Sequence, residues 1–519
     1  MDLLSPRPVL RAAPILLACL GIQPRIAASQ TLAPPATAAW VDQWGDQKYE
    51  YGWDVALADG SVYVTGTAQF TGGFAPPYLR RYSTDGTFMW ERSFDTQSAQ
   101  PLTLTAEGSR VCVGGAVVLD ENPYTGETAG LIQCLDSNGN LGWGDEIHAT
   151  REGFAPFVVV NRMVIAAGAL YATGWTMGAL TGDCVDGPCQ SAGGGEAFIR
   201  RYDADGSGGF TPAWTVEVGS TANDYLGGLE VDAGGTARVW GYEQVQLPAD
   251  PWVDNTLVLG CYQADGSSCG ESRRSLGRET PLSGGFVGNA FYLARGVQDA
   301  GAQFGFATAV QRFSIDASMD ITESWSDSIP NANAFAMSID GLGVILAGQT
   351  LVPLPGQQGA GSYDAFVRRY DETGRATWTL QFGTNLTESA SAVARDESSV
   401  YLTGWTTGAL EPGVGVPLNN TDGFVARIER PDSPQESIEG LIEEIQGLLD
   451  DGILHGNSLL NKLQKALDAL EAGDTKKAVT MLKTFINEVT SLRDTGVLEP
   501  ALADGMIATA TAVIASISG

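Results

Sequence analysis

The sequence predicts an all-β seven-bladed β-propeller followed by a small all-α domain of four helices. Three observations carry this. A strand–turn–strand unit with a Trp in its second strand recurs along most of the chain. A strand ending in glycine precedes it seven times, at Gly66, Gly114, Gly174, Gly241, Gly296, Gly348 and Gly404. Their spacing of about 48 to 67 residues suits four-stranded blades with variable loops. Beyond Arg427 the apolar residues change from alternation to helical spacing.

The chain opens with Arg7 and Arg11, an apolar run from Ala12 to Ile22, and then small residues. These are the parts of a signal peptide over residues 1–29. The run is shorter than the ~20 residues a bilayer requires. Two processing routes fit. Ala27-Ala28-Ser29 offers small residues for ordinary cleavage, and Leu16-Leu17-Ala18-Cys19 resembles a lipobox that would leave a lipid anchor at Cys19. Either route predicts an exported chain: extracellular, at the cell surface, or a periplasmic or outer-membrane lipoprotein. Of seven cysteines, Cys19 belongs to the signal. The other six fall into local pairs, Cys112/Cys134, Cys184/Cys189 and Cys261/Cys269, as expected of disulfides formed in an oxidising compartment.

Residues 37–430 hold the repeats. Asp364-Ala-Phe-Val-Arg-Arg-Tyr-Asp371 followed by Trp378…Phe382-Gly383 recurs as Glu196-Ala-Phe-Ile-Arg-Arg-Tyr-Asp203 with Trp214 and as Tyr78-Leu-Arg-Arg-Tyr82 with Trp90. Alternation around an Asp/Gly turn marks a hairpin. The partner strand is Val62-Tyr-Val-Thr-Gly66, Leu170-Tyr-Ala-Thr-Gly174 and Val400-Tyr-Leu-Thr-Gly404. Ala39-Trp40-Val-Asp-Gln-Trp44-Gly45 matches Thr377-Trp378-Thr-Leu-Gln-Phe382-Gly383 but has no strands before it, whereas the last repeat stops at Ile428. The N-terminal strand is therefore predicted to complete the final blade, which removes exposed sheet edges.

Residues 431–436 form a polar linker, with Ser433-Pro434-Gln435-Glu436 as a capping box. Residues 437–519 form the helical bundle. Ile438, Leu441, Ile445 and Leu448 share one face, and helices end at Gly452 and Gly473. Asp474 caps the third helix, and a fourth covers about 499–517.

The Asp364–Asp371 block, the Trp378…Gly383 strand and the Val400–Gly404 strand resemble the bacterial SBBP family of propeller repeats. Gly452-Ile-Leu, Leu463-Gln-Lys-Ala-Leu467, Gly473 and Phe485-Ile486-Asn487 are similar to the FIMAH domain, although Asn487-Glu488-Val489 stands where that family has Met-Ala-His. These resemblances imply a propeller, an extracellular habitat and an accessory helical module, and neither brings a catalytic motif.

Lys and Arg number 30 against 61 Asp and Glu, a net charge of −31. That excludes nucleic acid as a partner, since binding it requires a cationic surface. Hydrophobic residues make up 44% and charged residues 18%, so the chain is not a disordered acidic tail. Two histidines, His148 and His455, leave no His-rich metal site. No catalytic residue is expected at His148, because no Gly-x-Ser-x-Gly turn supplies a nucleophile.

Candidate sites are few. Asp203 and Asp205, and likewise Asp136 and Asn138, space oxygens as calcium loops do, but neither run reaches the distal Glu, and Asp/Gly turns account for both. No other cofactor is expected. Glu196, Asp364 and Asp422 each open the third strand of a blade and lie on one face of the ring. They would form either an acidic rim for a ligand or hydrogen bonds to the adjacent loop. Trp175 and Trp405 begin the same loops, as platforms for sugar rings or as packing.

The reading that follows is a non-enzymatic exported binding protein. Its propeller loops would recognise an extracellular polysaccharide or protein, and its helical domain would serve as an attachment module. One alternative is a secreted carbohydrate-active enzyme using channel carboxylates. A second is a quinoprotein-like oxidoreductase, because Asp371-Glu-Thr-Gly374…Trp378 resembles a tryptophan-docking repeat.

Overall fold

The computed structural model describes residues 38–517 apart from 46–48, 70–76, 95–98, 120–125, 154, 186, 191–193, 247–252, 317–318, 342, 397–398, 411–420, 430–433 and 451. Residues 434–436 of the linker already belong to the first helix, whereas the signal segment with Cys19, residues 431–433 and with them the Ser433 cap lie outside the described residues. So does most of the loop after Gly408.

Seven antiparallel four-stranded sheets follow one another along the chain. Their first strands, which number blades 1 to 7, are Tyr49–Ala58, Ala99–Glu107, Phe157–Ala166, Asn223–Val231, Thr280–Val287, Ala332–Asp340 and Glu388–Arg395. Successive first strands touch all the way round, and blade 7 meets blade 1, so they form the inner wall of a closed ring. The outer strand of blade 7 is Ala38–Trp44, paired antiparallel with Asp422–Glu429 from Ala38↔Ile428 to Trp44↔Gly423. The chain is thus a seven-bladed propeller closed by its own N-terminal strand.

The core lies between blades. Tyr63, Tyr171, Tyr292 and Tyr401, at one position of the second strands, are all fully buried. The Arg-Arg-Tyr run accounts for how blades bind one another. In blades 1, 3 and 6, the tyrosine hydroxyls of Tyr82, Tyr202 and Tyr370 donate to Asp42, Asp145 and Asp327 on the preceding blade, at 2.6, 2.8 and 2.7 Å. The first arginine of each run, Arg80, Arg200 or Arg368, stands within 4.0 Å of the same carboxylate.

The second arginine points the other way. Arg81 and Trp90 of blade 1 both donate to the Ser137 carbonyl in the hairpin turn of blade 2. Arg201 and Trp214 of blade 3 share the Ala264 carbonyl of blade 4. Arg427 and Trp40 of blade 7 share the Thr84 carbonyl of blade 1. In blades 1 and 3 the run therefore ties its blade to both neighbours.

Blades 2 and 4 carry cysteine where the others carry this arginine. Cys134 pairs across the strands with Trp143, as Arg81 does with Trp90, and Cys261 occupies the matching register in blade 4. Disulfides Cys112–Cys134 and Cys261–Cys269 form at those two positions, and Cys184–Cys189 closes a small hairpin in blade 3. Covalent links inside a sheet thus stand where the ionic tie is missing.

The glycine that follows the outer strand in blades 3, 6 and 7 (Gly219, Gly383 and Gly45) also has a physical reason. A Cβ on Gly383 would lie 2.5 Å from both Asp364 Oδ1 and Glu388 Oε2. Only a glycine lets these two buried carboxyls approach the backbone so closely.

Helices Pro434–Asp450, Ser458–Glu471, Thr475–Asp494 and Pro500–Ile517 share one core that includes Ile438, Leu463, Leu482, Phe485 and Met506. Gly452 and Gly473 have φ of +71° and +72°, the left-handed conformation that ends a helix. Asp474 Oδ1 accepts from the Lys477 amide at 3.0 Å and caps the third helix. Among the described residues no helix is long and apolar enough to cross a membrane.

Candidate functional site

All seven first strands break register at the same place. The unpaired residues are Trp53, Leu102, Asn161, Gly227, Leu282, Phe335 and Ser391. A bulge leaves its extra residue outside the ladder and re-aims the chain, and bulges concentrate beside active sites. Here they collar the central axis. Trp53, Asn161, Gly227 and Ser391 line one cavity of about 330 Å³ together with Asp54 and Arg162. That volume lies in the range of small-molecule sites, ~300–1,000 Å³.

Asp54 is buried in the wall. Its Oδ1 accepts from the Val55 amide at 2.9 Å, and its Oδ2 accepts from the Leu104 amide of the next blade at 2.8 Å. Burial pushes its carboxyl above the usual range, while the Arg162 guanidinium and the two amides pull it back. Arg162 approaches Asp54 Oδ2 at 3.8 Å, and its Nε donates to the Gly227 carbonyl at 3.4 Å. It is thus a loosely held cation reaching from blade 3 towards blades 1 and 4. Glu230, also on the inner wall, has an exposed side chain. The protein packed around it lifts its carboxyl to about 7, against the pull of Arg238 and Arg162. Trp53 stacks one face on Tyr51 with centroids 5.4 Å apart, its Nε1 donates to Thr67 Oγ1, and the ring stays more than one-third exposed. Asp54, Arg162 and the exposed indole of Trp53 therefore meet at the cavity, and Glu230 stands on the same inner wall towards Gly285 of blade 5. Burial raises both carboxyls, Glu230 to about 7.

The residues singled out by sequence lie elsewhere. Glu196, Asp364 and Asp422 are at most 4% exposed. Asp364 Oδ2 accepts from the Ala360 amide and from Gln381 Nε2, and Asp422 Oδ2 accepts from Gln43 Nε2 at 2.8 Å. They form no exposed acidic rim. Trp405 packs edge-on against Tyr51, and Trp175 stacks on Tyr225 at 5.7 Å. Both join adjacent blades. Asp136 Oδ1 accepts from the Asn138 and Asn140 amides, and Asp205 Oδ1 accepts from the Ser207 and Gly209 amides. These hydrogen bonds hold both carboxyls below the usual range. Asp203 pairs with Arg201 at 2.7 Å. The four residues build turns, with carboxylate oxygens occupied by backbone donors.

Among the described residues one cluster has metal-ligand spacing, Cys184, Cys189 and Glu217, but both sulfurs are in a disulfide. His148 sits just past its strand, half-exposed, 3.5 Å from Glu146. The docking-type tryptophans Trp40, Trp90 and Trp214 spend their indole N–H on the neighbouring blade.

Sequence reasoning missed Trp53, Asp54, Arg162 and Glu230. One signal was present: Gly52-Trp53-Asp54 interrupts the alternation of an otherwise regular strand.

No family model matches the chain, and no curated protein does. Solved structures do match. The phage phi92 endosialidase is 11% identical, over 76% of this chain and 69% of that one, with a TM-score of 0.38. The Trypanosoma rangeli sialidase in complex with sialic acid is 12% identical, over 72% and 60%, with a TM-score of 0.40. Drosophila Semaphorin 1a is 9% identical, over 76% and 88%, also at 0.40. At these identities the likeness is one of fold. Sialidases recur among these structures, which does not bear out the expectation of a non-enzymatic binding protein with an attachment module.

Proposed function

We propose that the protein is an exported carbohydrate-active enzyme that takes a sugar at the mouth of the axial channel and cleaves a glycosidic bond. The observation that carries this is the cavity that Trp53, Asp54, Asn161, Arg162 and Ser391 line at the channel, with Glu230 on the same wall and its carboxyl raised to about 7. Protonating a leaving oxygen requires an acid whose pKa lies near the working pH. Asp54, which accepts from two amides beside Arg162, is the second carboxyl of the pair. Trp53 offers an open indole face for a pyranose ring, and Asn161 and Ser391 supply polar partners. Three disulfides fit release into an oxidising compartment, by cleavage after the signal or with a lipid at Cys19. The SBBP-like and FIMAH-like residues accord with that location.

The test is release of reducing ends from a panel of oligosaccharides. Glu230→Gln should abolish turnover while the protein still unfolds cooperatively and no less stably, and wild-type activity should fall as pH rises above about 7. Turnover that persists in Glu230→Gln would reject the assignment.

A further inference from the structure

We propose a second ligand site, between blades 5 and 6, that takes a small apolar carboxylate on Arg312. Arg312 occupies the register of Arg81, Arg201 and Arg427: it pairs with Trp325 as Arg81 pairs with Trp90. It also lies over Tyr292 at 5.8 Å, as Arg81 lies over Tyr63 at 5.7 Å. Its neighbour offers the usual acceptor, the Glu372 carbonyl in the turn of blade 6, but only Trp325 Nε1 is bonded to it, at 2.9 Å. The Nε of Arg312 turns back to the Tyr292 hydroxyl at 3.2 Å.

The local sequence explains the difference. In blades 1 and 7 a serine at the start of the second strand, Ser61 or Ser399, accepts from the arginine Nε. In blade 3 Asp203 does so. Blade 5 has Ala290 and Ser314 at those two positions, and neither is bonded to Arg312.

The displaced guanidinium leaves a gap. A cavity of about 420 Å³ opens there, lined by Arg312, Tyr292, Asp340 and Glu372 and by the apolar Val287, Ala290 and Ile315. Asp340 is matched by Arg369 at 3.5 Å and Arg395 at 2.8 Å. Two guanidiniums from outside the cavity thus offset Asp340, and Arg312 is the one guanidinium that lines it. A planar guanidinium selects an acceptor with two in-plane oxygens. The apolar wall beside it suits a short hydrocarbon or aromatic body. A carboxylate oxygen would take the place that the turn carbonyl holds in blades 1, 3 and 7.

The probe is benzoate, with benzamide and chloride as controls, added to the full chain. At a tenfold excess over its Kd, benzoate should raise the melting temperature by about 2 °C, and benzamide should not. Arg312→Gln should remove the shift. Tyr292→Phe, which releases Arg312 from its present bond, should tighten benzoate binding about threefold, an outcome that general destabilisation would not produce. Equal shifts with benzamide or chloride would overturn the proposal. So would a shift retained in Arg312→Gln, or the absence of any shift with wild type.

Discussion

Glu217→Gln should stabilise the protein, and more so at alkaline pH. Gln43, Gln381 and Glu217 hold the same place, three residues after Trp40, Trp378 and Trp214. Their Oε1 atoms accept from the amides of Leu410, Leu354 and Leu180, at 2.7, 2.8 and 2.8 Å. The two glutamines then donate Nε2 to Asp422 and Asp364. Glu217 has no such proton to give when ionised. Its Oε2 is buried with no side-chain donor, it faces Glu196, and the Gln190 amide offsets that only weakly. Burial, and secondarily the Glu196 charge, hold its carboxyl above the usual range. The folded chain therefore keeps this proton to a higher pH than the unfolded chain does. Glu217 weakens the fold progressively as pH rises from the unfolded value through the raised one.

An amide at 217 removes that penalty and adds a hydrogen bond to a charged acceptor, worth ~1.5–3 kcal/mol when fully buried. Glu217 is only partly buried, so about 1–2 kcal/mol is expected near pH 8. Below the unfolded carboxyl value, at about pH 4, the protonated acid serves as donor in the fold, and the gain should shrink towards zero. Urea titration of both proteins at the two pH values measures it. A gain of equal size at both values, or a loss at pH 8, would refute the reasoning.

Glu230→Gln should likewise gain about 1 kcal/mol at pH 8 relative to pH 5, a figure reduced for the solvent that reaches the side chain, and thermal melts across that range would show it. Reduction should destabilise the propeller: the 22-residue separation of Cys112 and Cys134 corresponds to about 3 kcal/mol of chain entropy, read from urea midpoints of a Cys112→Ala/Cys134→Ala variant. Trp214→Phe keeps the ring but loses the bond to the Ala264 carbonyl, for about 1 kcal/mol by the same titration. Gly383→Ala places a methyl against Asp364 and Glu388 and should cost at least 2 kcal/mol, seen as a lowered melting temperature or as loss of folded protein.

The ring was legible because each blade announces itself locally. Strand alternation, an Asp/Gly turn and a glycine-terminated strand all lie within one repeat, and even closure shows in the unpaired match of Trp40 to Trp378. The disulfides were legible because both cysteines of each pair sit in one hairpin. The channel was not. A bulge is a mismatch between two strands, and Phe157–Ala166 read alone is an ordinary strand. The acids opening the third strands illustrate the opposite error. Their alignment on one face is real, but the glycine that admits them to the interior, Gly383 for Asp364, stands about 20 residues away and signals burial only once the strands are paired. Arg312 was invisible for a related reason: its difference from Arg81 lies in an absent serine on another strand.

The closing strand sets a timetable. Ala38 pairs with Ile428, so the first segment synthesised waits for the last blade before it has a partner. Until then blade 7 offers an open edge, and the waiting strand is free to join the edge of another copy. Loop closure over such a span slows the final step far more than it weakens the finished ring. Yield during production should therefore depend on chain concentration, whereas the closed molecule should be slow to reopen.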